Sequence, residues 1–146
     1  MSNSQAIEDY AKAIYTIAAE REGLVQNGEV AERLGVAPAT ATAMLKRLAE
    51  LGLVEYLPYK GVSLTAAGDR VALEVIRHHR LIEAYLAQAL GMPEDRVHEE
   101  AEVLEHYISE ELEQLIAAKL GEPSHDPHGS AIPGPDLTPP AGSLGR

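Results

Sequence analysis

Hydrophobic residues between positions 4 and 22 recur at Ile7, Ala11, Ile14, Ile17 and Ala18. This is the spacing of a helix with one buried face, and Gly23 ends it. A shorter run, QNGEVAERLG, puts Val30, Ala31 and Leu34 on one side and stops at Gly35. After the turn VAP, the stretch ATATAMLKRLAELG directs Ala41, Met44, Leu45 and Leu48 inward and closes at Gly52. The pattern then changes. LVEYLPYKGVSLTAAG carries Val54, Tyr56 and Leu57 up to a tip at Pro58-Tyr59-Lys60-Gly61 and returns through Val62, Ser63 and Leu64, which predicts a short hairpin. Helices followed by a hairpin in this order predict a winged helix-turn-helix over residues 1–64.

From Thr65, whose hydroxyl is placed to cap it, a long helical run extends to Gly91. Pro93 opens a further helix, with Glu94 and Asp95 in its first turn. Ala101, Leu104, Ile108, Leu112 and Leu115 continue as one apolar stripe, and Ser109 caps a last helix ending at Gly121. The fold class expected is mostly α: the winged unit, then a helical unit over 65–122. Residues 123–146, rich in Pro and Gly, read as a linker or loose tail.

Composition sharpens this picture in three ways. There is no Cys, so disulfides, thiolate metal sites and reactive thiols are excluded. With six Tyr and neither Phe nor Trp, the core must be aliphatic. The net charge of −11 argues against a generally basic nucleic-acid binder, but the excess is local. Residues 76–123 hold eleven Asp/Glu against four Lys/Arg, together with His78, His79, His98 and His106. No apolar run reaches the roughly 18 residues of a membrane span. The start, MSNSQAIEDY, lacks a signal-peptide layout, so a cytoplasmic location with no membrane partner is expected.

In a winged helix-turn-helix the second helix of the motif enters the major groove by its N-terminal residues. Here these are Ala37, Pro38, Ala39, Thr40, Thr42 and Ala43. Their methyl and hydroxyl groups suit thymine methyls, phosphates and groove shape, since no Arg or Asn is placed for a bidentate base contact. Lys46, Arg47 and Lys60 are the candidate phosphate contacts. Double-stranded DNA is the partner expected, read at two-fold sites by a homodimer.

A helix advances about 100° per residue, so His98, Glu102, Glu105 and His106 share an arc of roughly 100° beside the apolar stripe. His79 and Glu83 form an i, i+4 pair on the preceding helix. Imidazole and carboxylate from separate elements make a divalent-cation site, and all-N/O donors favour Mn²⁺ or Fe²⁺ without excluding Zn²⁺ or Co²⁺. A single His beside an apolar stripe is more often a core residue, and it is the joint pattern that points to metal. His78 points elsewhere. Glu99, Glu100, Glu110 and Glu111 read as a solvated face, and His125 and His128, in HDPHG, as ordinary tail residues, with loose metal binding as the alternative.

The stretches EDYAKAIY, VAERLGVAPATATAMLKRLAELGLVEY, LTAAG, RHHRLIEAYL, VHEEAEVLEH and HDPHGSAIP resemble the diphtheria-toxin-repressor and manganese-transport-regulator family of metal-dependent transcriptional regulators. The resemblance runs from about Ile7 to Asp136. It implies a homodimeric repressor of metal-uptake or metal-homeostasis genes that needs Mn²⁺, or as second choice Fe²⁺. By position it implies a primary site of Asp9, Glu102, Glu105 and His106, and a second site of His79, Glu83 and His98. Residues 65–122 become a metal-binding and dimerisation domain, and Ala37–Ala39, Thr40 and Thr42 the DNA-facing turn. Two departures stand out. Lys12 occupies the position, one turn after Asp9, where manganese sensors carry a further Glu ligand, which puts their two-metal centre in doubt. The chain also stops just beyond the linker after which some members add an SH3-like domain.

Two other functions fit parts of this pattern. A metal-independent winged-helix regulator would use the acidic helix only as a dimer face. A small metalloenzyme would need an open coordination position and a substrate pocket. No nucleophile motif or Gly-rich phosphate loop supports the latter, so no catalysis and no small-molecule substrate are expected.

Overall fold

A computed structural model describes residues 3–137 and contains six helices and one hairpin: α1 (Asn3–Glu20), α2 (Asn27–Leu34), α3 (Pro38–Glu50), β1 (Val54–Leu57), β2 (Gly61–Leu64), α4 (Ala66–Gln88), α5 (Glu94–Leu104) and α6 (Glu110–Lys119). The chain divides within α4 into two compact units, one up to Ala72 and one from Leu73. Among the described residues, no helix is long and apolar enough to cross a membrane.

The first unit is the expected winged helix-turn-helix. Ile14, Val25, Val30, Leu45, Leu48 and Val62 are its largest fully buried side chains. α2 ends at Gly35, whose left-handed backbone (φ 68°) returns its N–H to the last turn. Pro38 starts α3, where its missing N–H has no helical acceptor to lose. β1 and β2 pair antiparallel in the register Val54↔Leu64 to Leu57↔Gly61. Val25 adds a two-bond bridge to Val62, with N–H···O distances of 2.9 and 2.8 Å. That bridge requires Gly61, because a Cβ there would sit 2.5 Å from the Val25 carbonyl oxygen. Thr65 caps α4 as expected. Its hydroxyl accepts from the Gly68 N–H at 3.2 Å and donates to the Gly52 carbonyl at 2.7 Å.

The second unit has two small cores. Ile82, Leu86, Val97 and Ala101 join α4 to α5, and Leu81, Ile116, Ala117 and Ile132 join α4 to α6 and the chain beyond it. Three expectations are corrected here. The helix opened near Pro93 starts at Glu94, with Pro93 as its N-cap, and does not run on as one stripe. It ends at Leu104, and a turn separates it from α6, whose cap Ser109 accepts the Leu112 N–H at 3.1 Å. Of the stripe, Ala101 is buried, whereas Leu104, Leu112 and Leu115 are exposed together with Val103 and Tyr107. The segment after Glu122 is not a loose tail through residue 134. Ile132 and Pro133 are buried, Asp126 is 9% exposed, and Asp126 Oδ1 accepts the N–H groups of His128 and Ser130 at 3.0 and 2.8 Å. Burying Ile132 contributes roughly 2 kcal/mol. The Arg77 guanidinium adds a 2.8 Å hydrogen bond to the Pro133 carbonyl, and Arg80 donates to the Ala131 carbonyl. Residues 138–146, the rest of the stretch read as a tail, lie outside the described residues.

Candidate metal centre

α4 carries Arg77, His78, His79, Arg80 and Glu83 into the second unit. One turn of helix separates His79 from Glu83, which puts both on the face that meets α5. The His79 Nε2 lies 2.9 Å from Glu83 Oε2 and 3.2 Å from His98 Nδ1, and His98 Nδ1 lies 3.2 Å from the same Glu83 oxygen. Three donors from two helices therefore converge on one point, and His79 and Glu83 are buried there. The spacing fits a cation. Two ligand atoms at about 2.1 Å in adjacent octahedral positions are about 3 Å apart. The donor set, two imidazoles and a carboxylate, suits a first-row divalent metal.

Glu83 has a second face. Its Oε1 lies 3.4 Å from His128 Nδ1, and its carboxyl shares a hydrogen bond with Asp126. Glu83, Asp126 and His128 thus form a second convergent group on the side of Glu83 away from His98. His128, for which the sequence left loose metal binding as the alternative to an ordinary tail residue, lies beside Glu83, and Asp126 was not singled out. The available signal was HDPHG itself: two His and an Asp within four residues of one another in a chain with no Cys. Composition hid it, because Pro and Gly around the motif resemble a linker. His125 stays exposed, beside Ser124.

The electrostatics follow from this packing. Burial pushes the Glu83 carboxyl up, but hydrogen bonds from His79 and Asp126 and the charge on His79 outweigh it and hold it at about 2. Asp126 goes the other way: burial and the neighbouring Glu83 raise it, and its two backbone N–H bonds only partly oppose this. The two carboxyls are thus pushed in opposite directions, Glu83 down and Asp126 up, at a place where a cation would supply positive charge.

The remaining predicted ligands are placed as follows. Glu105 is buried just past the end of α5, and its Oε1 takes the other ring nitrogen of His79, Nδ1, at 2.5 Å. His106 Nε2 lies 3.5 Å from Glu105 Oε2. Glu102 is exposed on α5 and pairs with His98 Nε2 at 2.9 Å. His79 accordingly links Glu105 on one side to Glu83 on the other. Asp9 and Lys12 lie on α1, in the first unit, both half-buried. His78, as expected, is turned away: its Nε2 meets Glu113 at 2.6 Å and its Nδ1 the Glu105 carbonyl at 3.3 Å. Glu113, which nothing in the periodicity distinguished from its acidic neighbours, is bound by Arg77 at 2.8 Å.

On the winged unit, Ala37, Pro38, Ala39 and Thr40 are exposed around the start of α3, and Thr42 is half-buried. Lys46, Arg47 and Lys60 are exposed, with Arg47 near Glu50 at 3.9 Å.

Both units have relatives among known proteins. Residues 3–62 match the iron dependent repressor N-terminal DNA binding domain, and residues 65–134 match the iron dependent repressor metal binding and dimerisation domain. The transcriptional regulator MntR of Escherichia coli is 39% identical over 121 residues, covering 83% of this chain and 76% of that protein. The diphtheria toxin repressor of Corynebacterium efficiens is 34% identical over 128 residues, covering 87% of this chain and 55% of the repressor. A manganese-dependent transcriptional repressor solved with manganese superimposes with a TM-score of 0.84 at 45% identity, over 90% of this chain and 60% of that one. The chain thus spans little more than half the length of some of these relatives. On these matches, which extend over both units, the chain belongs to the iron-dependent repressor family of metal-dependent, DNA-binding transcriptional regulators.

Proposed function

We propose that the protein is a homodimeric repressor that binds palindromic operator DNA in the cytoplasm when loaded with Mn²⁺, with Fe²⁺ as second choice, and so controls metal-uptake or metal-homeostasis genes. The observation that carries this reading is the convergence of His79, Glu83 and His98 within 3.2 Å in a chain that also folds a winged helix-turn-helix. The relatives are transcriptional regulators, and no catalytic step is assigned.

Two groups of residues would hold cations. Asp9, Glu102, Glu105 and His106 form the primary set, by resemblance to manganese sensors. His79, Glu83 and His98 form the second, and the position of Asp126 and His128 against Glu83 supports adding them to it. Lys12 offers no ligand where manganese sensors have a Glu, so the second cation belongs with the His79–Glu83–His98 group rather than in a paired centre on α1. Mn²⁺ is preferred because Asp9 and Glu102 are carboxylates and the chain has no thiolate. A bound cation supplies positive charge that offsets the excess of carboxylates in the second unit. Asp9 belongs to the DNA-binding unit and its partner ligands to the other. Shared ligation would restrict how the two recognition helices of a dimer are presented to DNA. Metal and DNA would then assist one another by the same factor, roughly 5- to 150-fold. The exposed apolar residues Val103, Tyr107, Leu112 and Leu115 support the dimer, as side chains that a second copy would cover.

The test is Asp9→Ala, assayed against a pool of labelled promoter fragments over a Mn²⁺ titration. The variant should remain a folded dimer and lose most of the metal-dependent gain in DNA binding. Binding equal to the parent at every metal level would sink the shared-ligand mechanism.

A further inference from the structure

Between the start of α2, the middle of α3 and the hairpin lies a groove of about 500 Å³, lined by Asn27, Thr42, Lys46, Tyr56 and Tyr59 among others. The chain carries 23 acidic residues, yet none of those lining this groove is acidic, and one is a lysine. Asn27 is one of its lining residues. The Asn27 amide Nδ2 donates to Thr42 Oγ1 at 3.0 Å and to Tyr56 OH at 3.3 Å. One side chain at the first residue of α2 thereby ties the recognition helix to the wing strand. The groove's rim is held separately, by Gln26 Nε2 donating to the Lys60 carbonyl at 2.8 Å.

The direction of these bonds matters. A hydroxyl has one hydrogen to give, and it can accept at the same time. Because both hydroxyls accept from Asn27, both hydrogens are left to point elsewhere. Among the described residues, no other hydrogen-bond partner faces either of them. Lys46 follows Thr42 by one helical turn and so stands on the same side of α3. Two outward O–H donors beside an ammonium, with no carboxylate nearby, match the charge and hydrogen-bonding needs of a phosphodiester oxygen.

We infer that Asn27 is a positioning residue of the DNA interface: its amide orients the Thr42 and Tyr56 hydroxyls to donate to a backbone phosphate of the duplex, seated in this groove beside Lys46. The inference rests on the DNA-binding reading above. It adds Tyr56 as a direct phosphate contact and Asn27 as the residue acting through it. The contact is to the sugar–phosphate backbone, so it strengthens binding to any sequence by a similar factor.

The experiment is fluorescence anisotropy of the Mn²⁺-saturated full chain with a short random-sequence duplex, repeated over a range of salt concentrations. Tyr56→Phe removes only an oxygen at the groove, and should weaken binding roughly tenfold. Asn27→Ala should weaken it comparably. Neither variant removes charge, so both should keep the parent's salt dependence, whereas Lys46→Ala should reduce the logarithmic salt slope by about 1. In a Thr42→Val/Tyr56→Phe background, Asn27→Ala should cost nothing further, which a merely structural asparagine would not satisfy. If the parent binds and Tyr56→Phe binds as tightly, the phosphate seat is wrong. If the loss from Asn27→Ala persists in the double background, the positioning role is wrong. Tyr56→Phe decides the matter even if Asn27→Ala unfolds α2. A parent that binds no duplex at any metal level would overturn the DNA-binding reading, and this inference with it.

Discussion

Replacing Arg77 by methionine probes what holds the segment carrying Asp126 and His128 against α4. The Arg77 side chain is buried and makes two bonds there, to Glu113 Oε2 and to the Pro133 carbonyl, both at 2.8 Å. Arg77→Met keeps the volume and the apolar stem but removes both donors. Breaking a buried ion pair from one side usually costs 3–5 kcal/mol, roughly, because the remaining charge is left uncompensated. Glu113 keeps a 2.6 Å bond to His78 Nε2, so the lower end applies, about 3 kcal/mol. For a unit of this size that corresponds to a fall in Tm of roughly 12–24 °C. Circular dichroism melts of metal-free protein at neutral pH measure it. The double variant Arg77→Met/Glu113→Gln should recover part of the loss, since Gln removes the uncompensated charge and keeps an amide oxygen for His78 Nε2. A single variant that melts within a degree or so of the parent would refute the reasoning. So would a double variant less stable than the single one.

Other expectations follow from single contacts. Gly61→Ala puts a Cβ 2.5 Å from the Val25 carbonyl at a φ of 125°, so the Val25–Val62 bridge must open; the variant should lose at least about 1 kcal/mol by denaturant titration and bind duplex DNA less tightly. Leu115→Glu places a charge on the exposed apolar face of the second unit, and sedimentation should find monomers where the parent sediments as a dimer; an unchanged dimer would place the interface elsewhere. The acid stability of metal-free protein should reflect Glu83 and Asp126 with opposite signs. Glu83, lowered from 4.5 to about 2, contributes stability that is present above its ordinary range and is lost as pH falls toward 2. Asp126 is raised, so its contribution is present at low pH and lost as pH climbs through its folded value. Asp126→Asn should therefore gain stability over the parent as pH rises toward neutral while binding Mn²⁺ less tightly in calorimetric titration. Parallel stability curves would show that folding does not raise Asp126.

Much of this was legible in the chain because local signals agreed. The glycines at 35 and 52, the proline at the start of α3 and the change to a hairpin pattern at Val54 each report a backbone requirement that short-range physics enforces. His79 and Glu83 were legible as a pair because one helical turn brings them together whatever surrounds them. What escaped depends on packing between distant segments. The helix through His98 stops at Leu104, and Glu105 reaches His79 from the turn beyond, which periodicity alone could not distinguish from one more residue on the same helix. Glu102 pairs with His98 one turn earlier on α5, as their i, i+4 spacing allows. Asp126 and His128 lie on irregular chain, held by Ile132, Pro133 and two arginines from α4, and no period marks such a segment. Glu113 differs from Glu110 and Glu111 only in that Arg77 and His78 face it.

The first experiment to make is binding of a labelled genomic promoter pool by the purified chain in chelator, followed by add-back of Mn²⁺, Fe²⁺ or Zn²⁺. Chelator should abolish specific binding and Mn²⁺ should restore it, with Fe²⁺ next. Binding that is the same with and without metal would mean that His79, Glu83, His98 and their carboxylate neighbours serve packing or the dimer face, and that the protein does not sense a cation.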